Sequence, residues 1–144
     1  MRYSLVILFF LSSAVRTQGQ SGPCTQNAIE RGHLPVAEDA FSYMPPYGKP
    51  VVGKGAIGEA DTKSFSDRTN IKSGWVGEHR IVSSASGDMA YEYGTLHMSS
   101  DNKANPKTGH EDFEAAMLIV YKATGTTCKQ VALTMQPLEE AGKH

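Results

Sequence analysis

The chain has 144 residues, with 14 basic and 15 acidic side chains and a formal charge of -1. That length suits one domain with one core, and the near-neutral balance, with no basic stripe, argues against nucleic acid as a partner. The hydrophobic fraction of 40% is that of an ordinary globular chain, and nothing beyond residue 20 is apolar enough to span a bilayer.

The N-terminus reads as a secretory signal peptide over residues 1–19. Arg2 is the positive start, Leu5 to Leu11 form a short apolar run, and small residues follow at Ser12-Ser13-Ala14 and Thr17-Gln18-Gly19. The run is shorter than the roughly 20 residues a membrane span requires. The expectation is therefore a secreted or periplasmic protein with no membrane association after signal cleavage. Cys24 and Cys128 are an even pair in an exported chain, which predicts one disulfide. Their spacing suits neither a metal site nor catalysis. Asn27, Asn70, Asn102 and Asn105 all lack the hydroxyl two residues on, so no N-glycosylation is expected.

Residues 20–35 form a polar segment broken by Gly22-Pro23 and Gly32, with a short helix over 25–31 that Thr25 can cap. A strand is expected over 38–44, ended by the turn Pro45-Pro46-Tyr47-Gly48. A brief extended piece at 51–53 precedes a modest amphipathic helix over 55–66, on which Ala56, Ile57, Ala60 and Phe65 recur at helical spacing. Three longer strands follow at 75–84, 88–99 and 113–124. On the first, Trp75, Gly77, His79 and Ile81 share a face. On the second, Met89, Tyr91, Tyr93, Thr95 and His97 oppose Ala90, Glu92, Gly94, Leu96 and Met98. Met117-Leu118-Ile119-Val120 makes the third apolar on both faces, which predicts a mid-sheet strand covered on both sides. Thr124 to Thr127 turns into a closing strand over 129–136. Strands joined by hairpins, with helical material before them, indicate an α+β class built on an antiparallel sheet. A tail over 139–144 completes the chain.

Three stretches in this order resemble the NTF2-like superfamily, in particular its SnoaL-like and DUF4440 branch. They are Met44-Pro45-Pro46-Tyr47 running into Val51-Val52-Gly53-Lys54-Gly55-Ala56-Ile57, then Ser86-Gly87-Asp88-Met89-Ala90-Tyr91-Glu92-Tyr93-Gly94, and the hairpin from Met117-Leu118-Ile119-Val120-Tyr121-Lys122 into Lys129-Gln130-Val131-Ala132. The resemblance covers residues 36–138. It implies a curved antiparallel sheet wrapped on helices to form a conical pocket, and a homodimer through the outer face of the sheet. The superfamily includes isomerases, dehydratases and polyketide cyclases beside non-catalytic binding modules, so the fold licenses a pocket rather than an activity. Two departures stand out. The helix that normally plugs the cone must be short or missing here, and Cys128 stands where the last hairpin usually carries a Trp.

A ketosteroid-isomerase-type site needs a carboxylate base and a Tyr that stabilises the oxyanion, with burial raising the acid toward working pH. Glu92 and Glu114 are the candidate carboxylates, and His79, on the face with Trp75, is a candidate general base. The plainer reading pairs Glu92 with Arg80 or Lys122 on the sheet. Met44, Trp75, Met117 and Met135 are candidate ligand-binding walls, adaptable as thioethers and aromatics are. Tyr91, Tyr93 and His97 share a face that could line a ligand site, a dimer interface or simple sheet packing. Alternation leaves open which face looks into the cone.

His110-Glu111-Asp112 lacks the i, i+4 His pair of a zinc helix, so no metal is expected. The chain has no Gly-x-Gly-x-x-Gly, P-loop or Gly-x-Ser-x-Gly, and no cofactor is expected. The leading expectation is a protein that binds a small, partly apolar ligand, without an assignable catalytic set. An isomerase, dehydratase or cyclase using Glu92 or His79, and a non-catalytic dimerisation module, are the alternatives.

Overall fold

A computed structural model describes residues 21–44 and 49–138. The expected signal peptide, the turn at 45–48 and the tail at 139–144 lie outside the described residues. The elements are α1 (Gln26–Glu30), β1 (Val36–Tyr43), β2 (Val51–Val52), α2 (Lys54–Phe65), β3 (Arg68–Ser83), β4 (Met89–Asn102), β5 (His110–Thr124) and β6 (Thr127–Pro137). They form one curved six-stranded sheet in the order β2-β1-β6-β5-β4-β3. Both helices lie near their expected places, and α1 has its expected cap: Thr25 Oγ1 accepts from the Ala28 amide at 3.2 Å, while α2 follows Gly53 at φ 95° without a side-chain cap.

Two expectations about the sheet are corrected. The sheet is mixed, because β1 runs parallel to β6 while every other pairing is antiparallel. Strands so far apart in sequence are joined by a crossover long enough for either direction, and the intervening helix and meander supply it. The second correction concerns β5, which is mid-sheet but, among the described residues, covered on one face only, with Leu118 39% exposed on the other. β3 and β4 also extend further than alternation indicated, since Arg68 already pairs with Asn102. The polar run Thr69 to Ser73 carries no apolar alternation and gains its strand character from that pairing.

β3 carries two register shifts against β4, and the one between Val76 and His79 decides the layout of the inner face around Trp75. Val76 pairs with Thr95 and His79 with Gly94, so Gly77 and Glu78 are extra residues, and Gly77 takes φ 66°. A two-residue insertion preserves parity, which leaves Trp75 and His79 on the same side. Gly94 is the matching cut on β4. A Cβ there would sit 2.9 Å from the Glu78 carbonyl oxygen and 3.2 Å from the Trp75 ring.

The segment before β1 closes one end of the curved sheet. Cys24 is joined to Cys128 by a disulfide, with 5.0 Å between the Cα atoms, and the Cys24 amide donates to the Gly87 carbonyl at 2.8 Å. Cys24 and Ile29 pack with Ala90, Ile119, Tyr121 and Cys128 into one core cluster, and Trp75, Ile81, Met117 and Leu133 lean on it. A second cluster seats Ile57 of α2 on Ala37 and Ala40 of β1. A third joins Met44, Ala115 and Met135.

The bridge spans a sequence separation of 104 residues, which corresponds to a stabilisation of about 4–5 kcal/mol through the unfolded state. Urea unfolding with and without reductant measures this. A marked fall in the midpoint is expected on reduction, and an unchanged midpoint would show that the N-terminal segment holds its place by packing alone.

Candidate functional site

The inner face of the sheet carries two distinct features, an apolar cavity at one end and a polar trio near the disulfide end. The cavity has a volume of about 350 Å³. Its wall comes from the end of β1 (Met44), the last turn of α2 (Ser64, Phe65), the start of β3 (Arg68, Ile71, Ser73), β4 (Leu96, Met98, Ser99, Ser100), β5 (Glu111, Phe113) and β6 (Met135, Pro137). Most of that wall is thioether, aromatic or aliphatic. Its charged members are Arg68 and Glu111, which form an ion pair with Arg68 Nη1 2.5 Å from Glu111 Oε2. Glu111 holds the guanidinium further above its ordinary value than burial lowers it.

The polar trio is His79, Glu92 and Tyr121. Glu92 is 8% exposed, yet both of its carboxylate oxygens are engaged. His79 Nε2 lies 2.8 Å from Oε1, and the Tyr121 hydroxyl donates to Oε2 at 2.6 Å. The imidazole stacks on Trp75, with ring centroids 4.2 Å apart and planes 12° from parallel. Burial first, and then the bond to Glu92, push the Tyr121 hydroxyl well above the ordinary phenol range, so it stays a donor. A buried carboxylate is tolerable when its lone pairs are satisfied in this way.

The structure therefore brings Glu92 and His79 together, and does so away from the cavity. Met117 packs against both the disulfide cluster and the Met44–Met135 cluster, so it stands between the two features. Of the candidate wall residues, Met44 and Met135 line the cavity, while Trp75 covers the trio. Tyr91 and Tyr93 lie on the opposite, outer face, 43% and 38% exposed. Glu114 is exposed there too, paired across the strands with His97. The partner of Glu92 is neither Arg80, which bonds Glu78, nor the exposed Lys122.

Sequence alone gives no binding role to Tyr121, Phe65, Arg68, Leu96 or Met98, and marks Glu111 only within the His110-Glu111-Asp112 triplet. A signal existed for Leu96 and Met98, which share the β4 face of Glu92. Alternation from Trp75 backwards would put Arg68 on the outer face; a register shift between Thr69 and Lys72 reverses the parity and brings it inward.

The acidic and histidine groups at 97–112 form a separate network. His97 Nε2 is 2.6 Å from Asp112, His110 Nδ1 is 2.7 Å from Asp101, and Asn70 donates to Asp101 at 2.8 Å. Asn70 and then His110 hold the Asp101 carboxyl below its ordinary value, and Asp101 in turn raises His110. Among the described residues, no group of three such side chains is placed to hold a metal ion.

Chemically, the trio is arranged to hold its own shape. An oxyanion donor and a base must both face a substrate, whereas here Tyr121 and Glu92 satisfy each other. Glu92→Ala is expected to cost about 2–3 kcal/mol and Tyr121→Phe about 1–2 kcal/mol. In a double-mutant cycle by urea denaturation, the Tyr121 loss should shrink once Glu92 is gone. Additive losses would show that the hydroxyl and the carboxylate are not energetically coupled.

No family model and no curated protein matches the chain. Solved structures do. The chain is similar to an NTF2-like superfamily protein from Salmonella enterica, at TM-score 0.62 and 13% identity over 76% of this chain and 75% of that one. A ketosteroid isomerase-like protein from Erwinia carotovora matches at TM-score 0.57 and 17% identity over 73% and 77%. A cystatin-like fold protein from Caulobacter vibrioides matches at TM-score 0.56 and 15% identity over 78% of each chain. At these identities the likeness speaks for architecture: the chain has the NTF2-like, cystatin-like α+β cone fold.

Proposed function

We propose that this protein is an exported, non-catalytic binder of a small, partly apolar molecule, held in the cavity between α2 and the inner face of the sheet. The observation that carries this reading is the cavity wall itself, in which Met44, Phe65, Leu96, Met98 and Met135 surround about 350 Å³ of space. That volume is at the lower end of the ~300–1,000 Å³ typical of small-molecule sites. Unbranched thioethers suit a ligand of irregular shape. The Cys24–Cys128 bridge supports export, since such bonds persist in oxidising compartments. The occupied oxygens of Glu92, and its separation from the cavity, favour a binder over an isomerase or dehydratase.

The neutral fluorophore phenylnaphthylamine tests the cavity. Its emission should rise on mixing with the protein, and Leu96→Trp, which places an indole in the cavity wall, should weaken binding by about tenfold, or about 1.4 kcal/mol. Equal binding to both proteins would refute the assignment of the cavity as the site.

The outer face of the sheet supports a second copy of the chain as partner. Val82, Met89, Tyr91, Tyr93 and Leu118 are each between 38% and 45% exposed there. Glu114 and Lys122 flank Leu118 at opposite ends of the same face of β5. A two-fold axis lying across the strands sets the acidic end of one copy against the basic end of the other. Sedimentation equilibrium should report a dimer that Tyr91→Glu converts to monomer. A wild-type monomer at high protein concentration would rule this interface out.

A further inference from the structure

We infer that the ligand is an amphipathic carboxylic acid whose head group binds Arg68 in place of Glu111. This rests on the reading of the cavity as a binding site and adds the chemical class of its occupant.

Arg68 opens β3 directly after α2, with its side chain only 21% exposed and lining the cavity. Its Nη1 contacts Glu111 Oε2 at 2.5 Å and Ser100 Oγ at 3.4 Å, and Nε lies 3.5 Å from Asp67. The guanidinium is thus held from several sides where the apolar wall of Met98 and Phe113 begins. Glu111 is different. Its side chain is 54% exposed, and Arg68 is its one charged partner among the described residues.

The two members of the pair therefore differ in how easily each can leave. Swinging Glu111 outward returns a carboxylate to water, which solvates it well. Moving Arg68 outward breaks its contacts to Ser100 and Asp67 and withdraws its stem from the wall. An incoming carboxylate can exchange with Glu111 and keep the charge-assisted geometry that guanidinium favours. An incoming ammonium would need Arg68 to move instead. Behind the head group, the wall offers Leu96, Met98, Phe113 and Met135 to an apolar tail. In the unliganded protein Glu111 occupies the position of the ligand carboxylate, and so competes with it.

Decanoate, decanol and decylammonium, each below its micellar concentration, separate head group from tail in calorimetric titrations of the full-length, oxidised chain at low salt. Decanoate should bind at least tenfold more tightly than decanol. Arg68→Met should abolish the preference, bringing decanoate down to the level of decanol measured on the same variant. Glu111→Gln removes the competing carboxylate and should tighten decanoate several-fold relative to decanol on the same variant. Because Glu111 is exposed, that variant remains a valid test if Arg68→Met fails to fold, and the absence of any tightening would overturn the inference. Equal binding of decanoate and decanol by a protein that still takes up phenylnaphthylamine would reject the head-group assignment and leave the cavity reading standing. Tighter binding of decylammonium would assign recognition to Glu111 instead. Failure of decanoate, decanol and phenylnaphthylamine alike would remove the cavity reading, and this inference with it.

Discussion

The anchoring of the N-terminal segment across the curved sheet is the constraint on which the rest of the molecule depends. Cys24 is tied covalently to β6 and by its amide to the β3–β4 turn, and Gly22 passes so close to Gly87 that a Cβ at Gly22 would sit 2.3 Å from the Gly87 carbonyl oxygen. A helix of five residues cannot supply much buried area. The bridge compensates by fixing that helix in place, so that Ile29 reaches the core cluster. A small plug held by a covalent bond replaces a large plug held by packing. This is a common solution where little apolar surface is available, provided the compartment is oxidising.

That anchoring divides the inner face into two environments. At the plugged end the polar trio is matched within itself: Glu92 is bonded at both oxygens, His79 lies under Trp75, and the Tyr121 hydroxyl is committed. In a low-dielectric setting a satisfied network of this kind rigidifies the strands it joins, here β3, β4 and β5. At the other end, the wall is soft and apolar, and the space between α2 and the sheet is unfilled. Under the proposed binding role, a rigid frame beside the soft apolar wall would keep the cavity open when empty, so that its ligand need not reopen it.

Much of the architecture was legible in the sequence, and the exceptions have physical causes. The helices, the β4 alternation and the cysteine pairing are local or compositional signals, and each appears in the structure near its expected place. The order of the motifs was enough to suggest a cone. The parallel β1–β6 pairing was not legible, because direction is decided by a crossover and not by the strand itself. The exposed outer face of β5 is illegible for a related reason: an apolar face on a mid-sheet strand looks the same in sequence whether or not a described element covers it. Glu92 and His79 were singled out separately, but their contact depends on a two-residue bulge that makes β3 and β4 register as they do.

The cavity was the least legible part, and the reason bears on its chemistry. Met44 and Met135 were recognisable as wall residues because they are large and adaptable. Arg68 reads as an ordinary charge at the start of a polar stretch, and the register shift between Thr69 and Lys72, where Asn70 takes φ 51°, puts it on the inner face against Glu111. A charge with no local reason to be half-buried is held there by the surrounding structure. Its desolvation is offset by Glu111, Asp67 and Ser100 together. An apolar partner for the cavity alone would bring no replacement for Glu111. A ligand with its own carboxylate does, and can take over the pairing while its tail fills space that the protein leaves empty.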